Sequence, residues 1–145
     1  MKVYITENKE AAVTTVEITC REVGNEVERL KRYIEDYDSR LKGKSQGEAI
    51  YVKASDVLYF ESVDNRTFMY TADSVLEVEK KLYELEDFLN NKDFFRCSKS
   101  VIVNVNAIKS LKPEVTRNIL AKLVNDEIIT ISRRYVKGFR ALIER

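Results

Sequence analysis

Between Phe94 and Leu111 the chain runs through two aromatics, a polar and basic segment Arg96-Cys97-Ser98-Lys99-Ser100, the β-branched run Val101-Ile102-Val103, and the close Asn104-Val105-Asn106. Apolar anchors on both sides of a short polar run are buried together only if the polar residues form an exposed connection. The stretch therefore predicts a short loop held rigidly by strands, an arrangement suited to reading another molecule. Asn104, at the end of the β-branched run, is placed to tie down the following turn by bonding backbone groups.

Similar short β-branched runs recur on both sides. Ile50–Lys53, Val57–Val63 and Thr67–Thr71 read as three strands, with Asp64-Asn65-Arg66 turning between the last two and Phe68 and Tyr70 on one face. Val75 and Leu76 continue a strand, after which Val78, Leu82, Leu85 and Leu89 fall at helical spacing, for a helix ending near Asn90-Asn91. Pro113 breaks the next short strands. Val115–Val124 and Ile128–Ile131 form a hairpin turning at Asn125-Asp126. Ser132 is placed as the N-cap of a C-terminal helix that carries Arg133, Lys137 and Arg140 on one face and Tyr135, Phe139, Leu142 and Ile143 on the other.

The N-terminal third reads differently. Residues 2–6 and 12–20 look like a hairpin across Glu7-Asn8-Lys9-Glu10, and from Asn25 the residues Val23, Val27, Leu30, Ile34 and Tyr37 mark an amphipathic helix with Glu28 and Arg32 set for an i,i+4 pair. Leu41–Glu48 holds two of the four glycines in the chain and is the expected linker. The division is an N-terminal strand-strand-helix extension over 1–45 and a mainly β domain with a few helices over 46–145.

Composition excludes several function classes. With no histidine among 145 residues, His-based acid–base catalysis, His-ligated metal and a phosphorelay histidine are removed, and two well-separated cysteines do not make a zinc site. The four glycines form no phosphate-cradling loop. Glu84, Glu86 and Asp87 lie on a helix flank without a nucleophile or a metal-binding spacing, and read as solvated charge. The expectation is a non-enzymatic chain without metal or cofactor. No apolar run approaches the ~20 residues of a membrane span, and the first residues lack the pattern of a signal peptide, so a cytoplasmic location with Cys20 and Cys97 as reduced thiols is expected. A net charge of +1 does not announce a nucleic-acid binder. Any such role depends on where the charges sit.

The order and separation of these pieces resemble the LytTR family of bacterial DNA-binding domains. Two phrases carry most of the likeness: Phe94-Phe95-Arg96-Cys97-Ser98-Lys99-Ser100 followed by Val103-Asn104, and Ile131-Ser132-Arg133-Arg134-Tyr135. Ile50-Tyr51-Val52, Val57–Ser62 and Leu82–Glu86 extend it over roughly 46–143. The resemblance implies an elongated, multi-stranded β fold whose loops enter the major groove of double-stranded DNA. Carried over, it places base readers at Arg66, Lys99 and Arg134. Lys and Arg donate to guanine O6 and N7, and Arg does so in a bidentate way. In the first loop Asn65 and Thr67 are alternatives to Arg66, whose other role is a phosphate contact. Asn65, Thr67, Ser98, Ser100, Arg133 and Lys137 are the expected backbone contacts, since hydroxyls and basic side chains supply most of these. Some relatives pair a cysteine at the position of Cys97 with one in a later strand. Here that partner position is Ile129, so a packed thiol is expected instead.

The resulting expectation is a LytTR-type transcription regulator without the receiver domain of many relatives, since 45 residues cannot hold one. A homodimer would suit repeated half-sites, with the Val27-Leu30-Ile34 stripe as its contact. The rival classes are a protein-interaction module serving a sensor protein and a single-stranded RNA-binding domain; paired exposed aromatics are missing for the latter.

Overall fold

The computed structural model describes residues 1–35, 40–89 and 93–144. In chain order the elements are α1 (Asn25–Glu35), β1 (Arg40–Ser45), β2 (Glu48–Lys53), β3 (Val57–Val63), β4 (Arg66–Thr71), β5 (Val75–Val78), α2 (Leu82–Leu89), β6 (Phe94–Arg96), β7 (Val101–Asn104), β8 (Ile108–Pro113), β9 (Ile119–Leu123), β10 (Ile128–Ile131) and α3 (Arg133–Ile143). The mainly β expectation holds. Seven strands form one sheet in the order β2-β1-β5-β4-β3-β7-β6, and three form another in the order β10-β9-β8.

The middle of the large sheet, at β3 and β7, is buried on both faces, which explains the continuous apolar runs there. β3 reads Val-Leu-Tyr-Phe with all four residues buried, and a register shift between Val57 and Tyr59 splits them. Val57 and Phe60 join Met69, Leu76, Ile102 and the α2 residues Leu82, Leu85 and Leu89 in one core. Leu58 and Tyr59 join Cys97, Val103, the β9–β10 residues Ile119, Ala121, Leu123, Ile129 and Ile131, and Phe139 of α3 in the other. Helix α2 thus covers one face of the sheet, while the small sheet and α3 cover the opposite one. Fully burying one such side chain stabilises by about 1.5–3 kcal/mol.

Polar ties join the layers. The Tyr59 hydroxyl donates to Glu127 at 2.6 Å, and the Tyr59 ring stacks on Tyr70 with centroids 4.3 Å apart. Burial first, and the bond to Glu127 second, push the Tyr59 phenol well above its ordinary range. Asn104, 4% exposed, donates to the Val57 carbonyl at 2.8 Å and accepts from the Asn106 N–H at 3.0 Å, in the turn-fixing role expected of it.

Several sequence expectations are corrected. Residues 2–6 and 12–20 form no strand: Val3 and Ile5 are 83% and 94% exposed, and their β-branched pattern finds no partner strand. Leu41–Glu48 is not a linker but most of β1 and its turn, paired with β2 along its length and with β5 at Lys44–Glu77. Gly43 supplies closeness rather than flexibility, since a Cβ there would lie 2.7 Å from Cβ of Leu76. Val78 ends β5 rather than starting the helix. Strand β9 begins at Ile119, not Val115, which is fully exposed in the turn after β8. Tyr37 and Asn90-Asn91 lie outside the described residues.

Candidate nucleic-acid interface

The strand order brings three connections to one end of the large sheet. Strands β3 and β4 are joined there by Asp64-Asn65, both with positive φ (51° and 63°), the mirror-image two-residue turn whose twist matches antiparallel strands. Arg66 is therefore the first residue of β4 rather than part of the turn. The Arg96–Val101 connection between β6 and β7 opens beside it, because β7 pairs with β3 through Glu61–Val101. The two turns are centred two strand spacings apart, roughly 10 Å. One more backbone bond, Ser62 N–H to Ser100 carbonyl at 2.8 Å, ties them directly.

The start of α3 is brought to the same place. The Ser132 N–H donates to the Cys97 carbonyl at 2.8 Å, so Arg133 and Arg134 emerge beside Ser98 and Lys99. Ser132 occupies the N-cap position, but its hydroxyl makes no cap bond. Instead Oδ1 of Asn118, from the turn before β9, accepts the Arg133 N–H at 2.9 Å. Phe139 packs against Phe95 with ring centroids 5.7 Å apart, which holds the helix down behind its first turn.

Lys99, Arg133, Arg134 and Lys137 are exposed, and among the described residues no ion pair engages them. Two other arginines are held. Arg66 donates from Nε and Nη2 to the two oxygens of Glu77, at 3.0 and 2.6 Å, and lies over Phe68 with its guanidinium carbon 5.4 Å from the ring centre. The bond to Arg66 holds the Glu77 carboxyl below the usual carboxylate range. Arg96 donates from Nε to the Ser98 carbonyl at 2.8 Å, from Nη2 to the Lys99 carbonyl, and from Nη1 to Glu86 at 3.0 Å. It fixes both residues of the loop tip to α2. Ser98 Oγ adds a further tie by accepting the Ser100 N–H at 3.2 Å.

Thr67 does not belong to this surface. At 3% exposure it points to the same side as Met69, into the core, because β4 alternates and Arg66 takes the outward position. It cannot contact a phosphate in this conformation. Asn65 is exposed at the turn, and its carbonyl accepts from Nζ of Lys81 at 2.8 Å. Three residues that shape the site, Glu77, Arg96 and Asn118, were not singled out from the sequence. Glu77 and Asn118 act on groups whose proximity only the fold creates, whereas Arg96, inside the conspicuous basic run, bonds the neighbouring Ser98 and Lys99 carbonyls as well as the distant Glu86. Cys97 is fully buried and burial pushes its thiol up to about 12, while Ile129 lies in the same core, so the packed-thiol expectation agrees with the structure.

The family description for the LytTr DNA-binding domain matches residues 47–144. The chain belongs to the LytTR family. The matched region takes in every element from the β1–β2 turn to α3, including all three connections at the end of the sheet. The LytTr DNA-binding domain of a Bacillus cereus protein superposes with a TM-score of 0.70 at 32% identity, covering 73% of this chain and 97% of that one. Among curated relatives, the Transcriptional regulatory protein YpdB of Escherichia coli (strain K12) is 30% identical over 95 residues, which is 65% of this chain but 39% of YpdB. The uncharacterized HTH-type transcriptional regulator SAS2254 of Staphylococcus aureus (strain MSSA476) is 28% identical over 142 residues, covering 97% of this chain and 96% of that protein. That likeness extends through the N-terminal residues preceding the LytTR domain. Among the described residues, no helix is long and apolar enough to cross a membrane.

Proposed function

We propose that this LytTR chain is a transcription regulator that binds specific sequences of double-stranded DNA by laying the three connections into the major groove. Arg66, Lys99 and Arg134 donate to base edges, while Asn65, Ser98, Ser100, Arg133 and Lys137 hold the phosphate backbone. The observation that carries the reading is the lacing of the three segments at one end of the sheet by the Ser62–Ser100 and Cys97–Ser132 backbone bonds. The lacing presets the spacing of the basic groups before DNA arrives, so little ordering is left for the complex. A balanced overall charge is compatible with this, since Lys99, Arg133, Arg134 and Lys137 stand exposed at this end and no ion pair among the described residues neutralises them. The regulatory names of YpdB and SAS2254 support the same role.

Two copies on repeated half-sites complete the proposal, with the half-buried Val27, Leu30 and Ile34 of α1 as the contact between them. The test is selection from a random duplex pool, repeated at several salt concentrations. The proposal expects one enriched sequence and binding that weakens steeply with salt. Salt-insensitive binding without enrichment would instead indicate a protein-interaction module.

A further inference from the structure

We infer that Glu77 is a positioning residue for sequence reading: its carboxylate holds the Arg66 guanidinium by one edge and leaves the other edge directed at a base. The inference rests on Arg66 as a base reader and gives that residue its geometry. Glu77 sits opposite Phe68 on the neighbouring strand β5, and Arg66 lies two residues before Phe68 on the same face of β4. Sheet geometry therefore sets carboxylate, ring and guanidinium together on one outer face.

The pattern of bonds decides what remains available. A guanidinium has five N–H donors. Glu77 takes the Nε hydrogen and one Nη2 hydrogen, leaving both on Nη1 and one on Nη2. The free Nη1–Nη2 edge still offers two parallel donors, enough for bidentate contact with guanine O6 and N7. The Phe68 ring supports the guanidinium plane from one side. Lys44, the partner of Glu77 across to β1, adds only a weaker attraction, since its ion pair is with Glu79 at 2.8 Å. From just beyond β5, Lys81 anchors the Asn65 carbonyl at the adjacent turn. At a phosphate the same arrangement would gain less, because the pair carries no net charge with which to neutralise the backbone. Arg66 is thereby assigned to the base rather than to the backbone.

The experiment measures binding of the full chain, and of its Glu77→Gln, Glu77→Asp and Arg66→Ala variants, to a selected duplex and all its single-base variants. Arg66→Ala should lose preference at one base pair. Both Glu77 variants should lose about fivefold or more of the preference at that same pair. Glu77→Gln, having shed a negative charge near the duplex, should also bind unrelated DNA at least as tightly as the parent chain, whereas Glu77→Asp should not gain. Since the pair is exposed, thermal unfolding of both Glu77 variants should stay close to the parent. If Arg66→Ala loses the preference and both Glu77 variants retain it, the positioning role is overturned while Arg66 stands as a reader. If Arg66→Ala leaves every base preference intact, the assignment of Arg66 and the role of Glu77 fail together.

Discussion

Replacing Arg96 by Ala should weaken DNA binding without altering which bases are preferred. The Arg96 guanidinium bonds the carbonyls of Ser98 and Lys99 and the carboxylate of Glu86, with the two side chains 26% and 34% exposed. Fixing the backbone of one residue costs about 1–2 kcal/mol, so releasing both residues of the loop tip frees roughly 2–4 kcal/mol of entropy that binding must oppose. The Ser98–Ser100 and Ser62–Ser100 bonds survive and retain about half of that order, leaving a loss of about 1–2 kcal/mol, or about 5- to 30-fold in affinity. Solvent screening of the Glu86 contact keeps the effect at the lower end. The assay is competition binding at several salt concentrations, with thermal unfolding alongside. A residue that only shapes the loop leaves the salt slope unchanged, whereas a lost phosphate contact lowers it by about 0.9. Affinity equal to the parent chain, or a slope reduced by that amount, would refute the reasoning.

Gly43→Ala should destabilise the chain by about 1–3 kcal/mol, read by denaturant unfolding, because the new methyl meets the Leu76 and Met69 side chains at 2.7–3.0 Å. Asn104→Ala should cost about 1–3 kcal/mol by the same measurement, since it leaves the Val57 carbonyl and the Asn106 N–H without their partner. In the native protein a thiol reagent should modify exposed Cys20 quickly and Cys97 only on unfolding; comparable rates would contradict the burial of Cys97. Because folding raises the Cys97 thiol from its ordinary 9.0 to about 12, its contribution to stability is complete below pH 9 and falls away as pH rises towards 12, a decline that Cys97→Ser should reduce. Removing residues 1–35 while keeping β1 should convert a dimer to a monomer in sedimentation; a truncated chain that still dimerises would exclude α1 as the contact.

What was legible in the sequence follows from local patterning. The 101–104 run, the α2 stripe at Leu82, Leu85 and Leu89, and the hairpin ending at Ile131 each bury one consistent set of side chains, so period and length sufficed. The strands expected at 2–6 and 12–20 have the composition of strands but no neighbour to pair with, and composition cannot supply one. Conversely, β1 was hidden because Leu-Lys-Gly-Lys-Ser looks like a linker, and only the facing Leu76 shows why a glycine is needed there. Thr67 was misplaced because one residue of turn length decides which face of β4 points outward: a turn confined to Asp64-Asn65 makes Arg66 outward and Thr67 buried. Arg96, Glu77 and Asn118 bond groups on other elements or act on loop carbonyls, and no spacing rule marks such contacts in advance.

The most direct test of base reading at the laced end of the sheet compares Arg133→Ala, Arg134→Ala and Lys99→Ala against single-base variants of a selected duplex across a salt series. Arg133 and Arg134 are adjacent and equally charged, so a purely electrostatic surface would treat their loss alike. The account predicts that Arg134→Ala and Lys99→Ala each relax preference at a different base pair, at a cost of about 1–3 kcal/mol, while Arg133→Ala weakens all sequences similarly and lowers the salt slope by about one. If Arg134→Ala and Lys99→Ala instead reduce affinity equally for every sequence and leave all base preferences in place, these connections hold the duplex without reading it, and the central claim is contradicted.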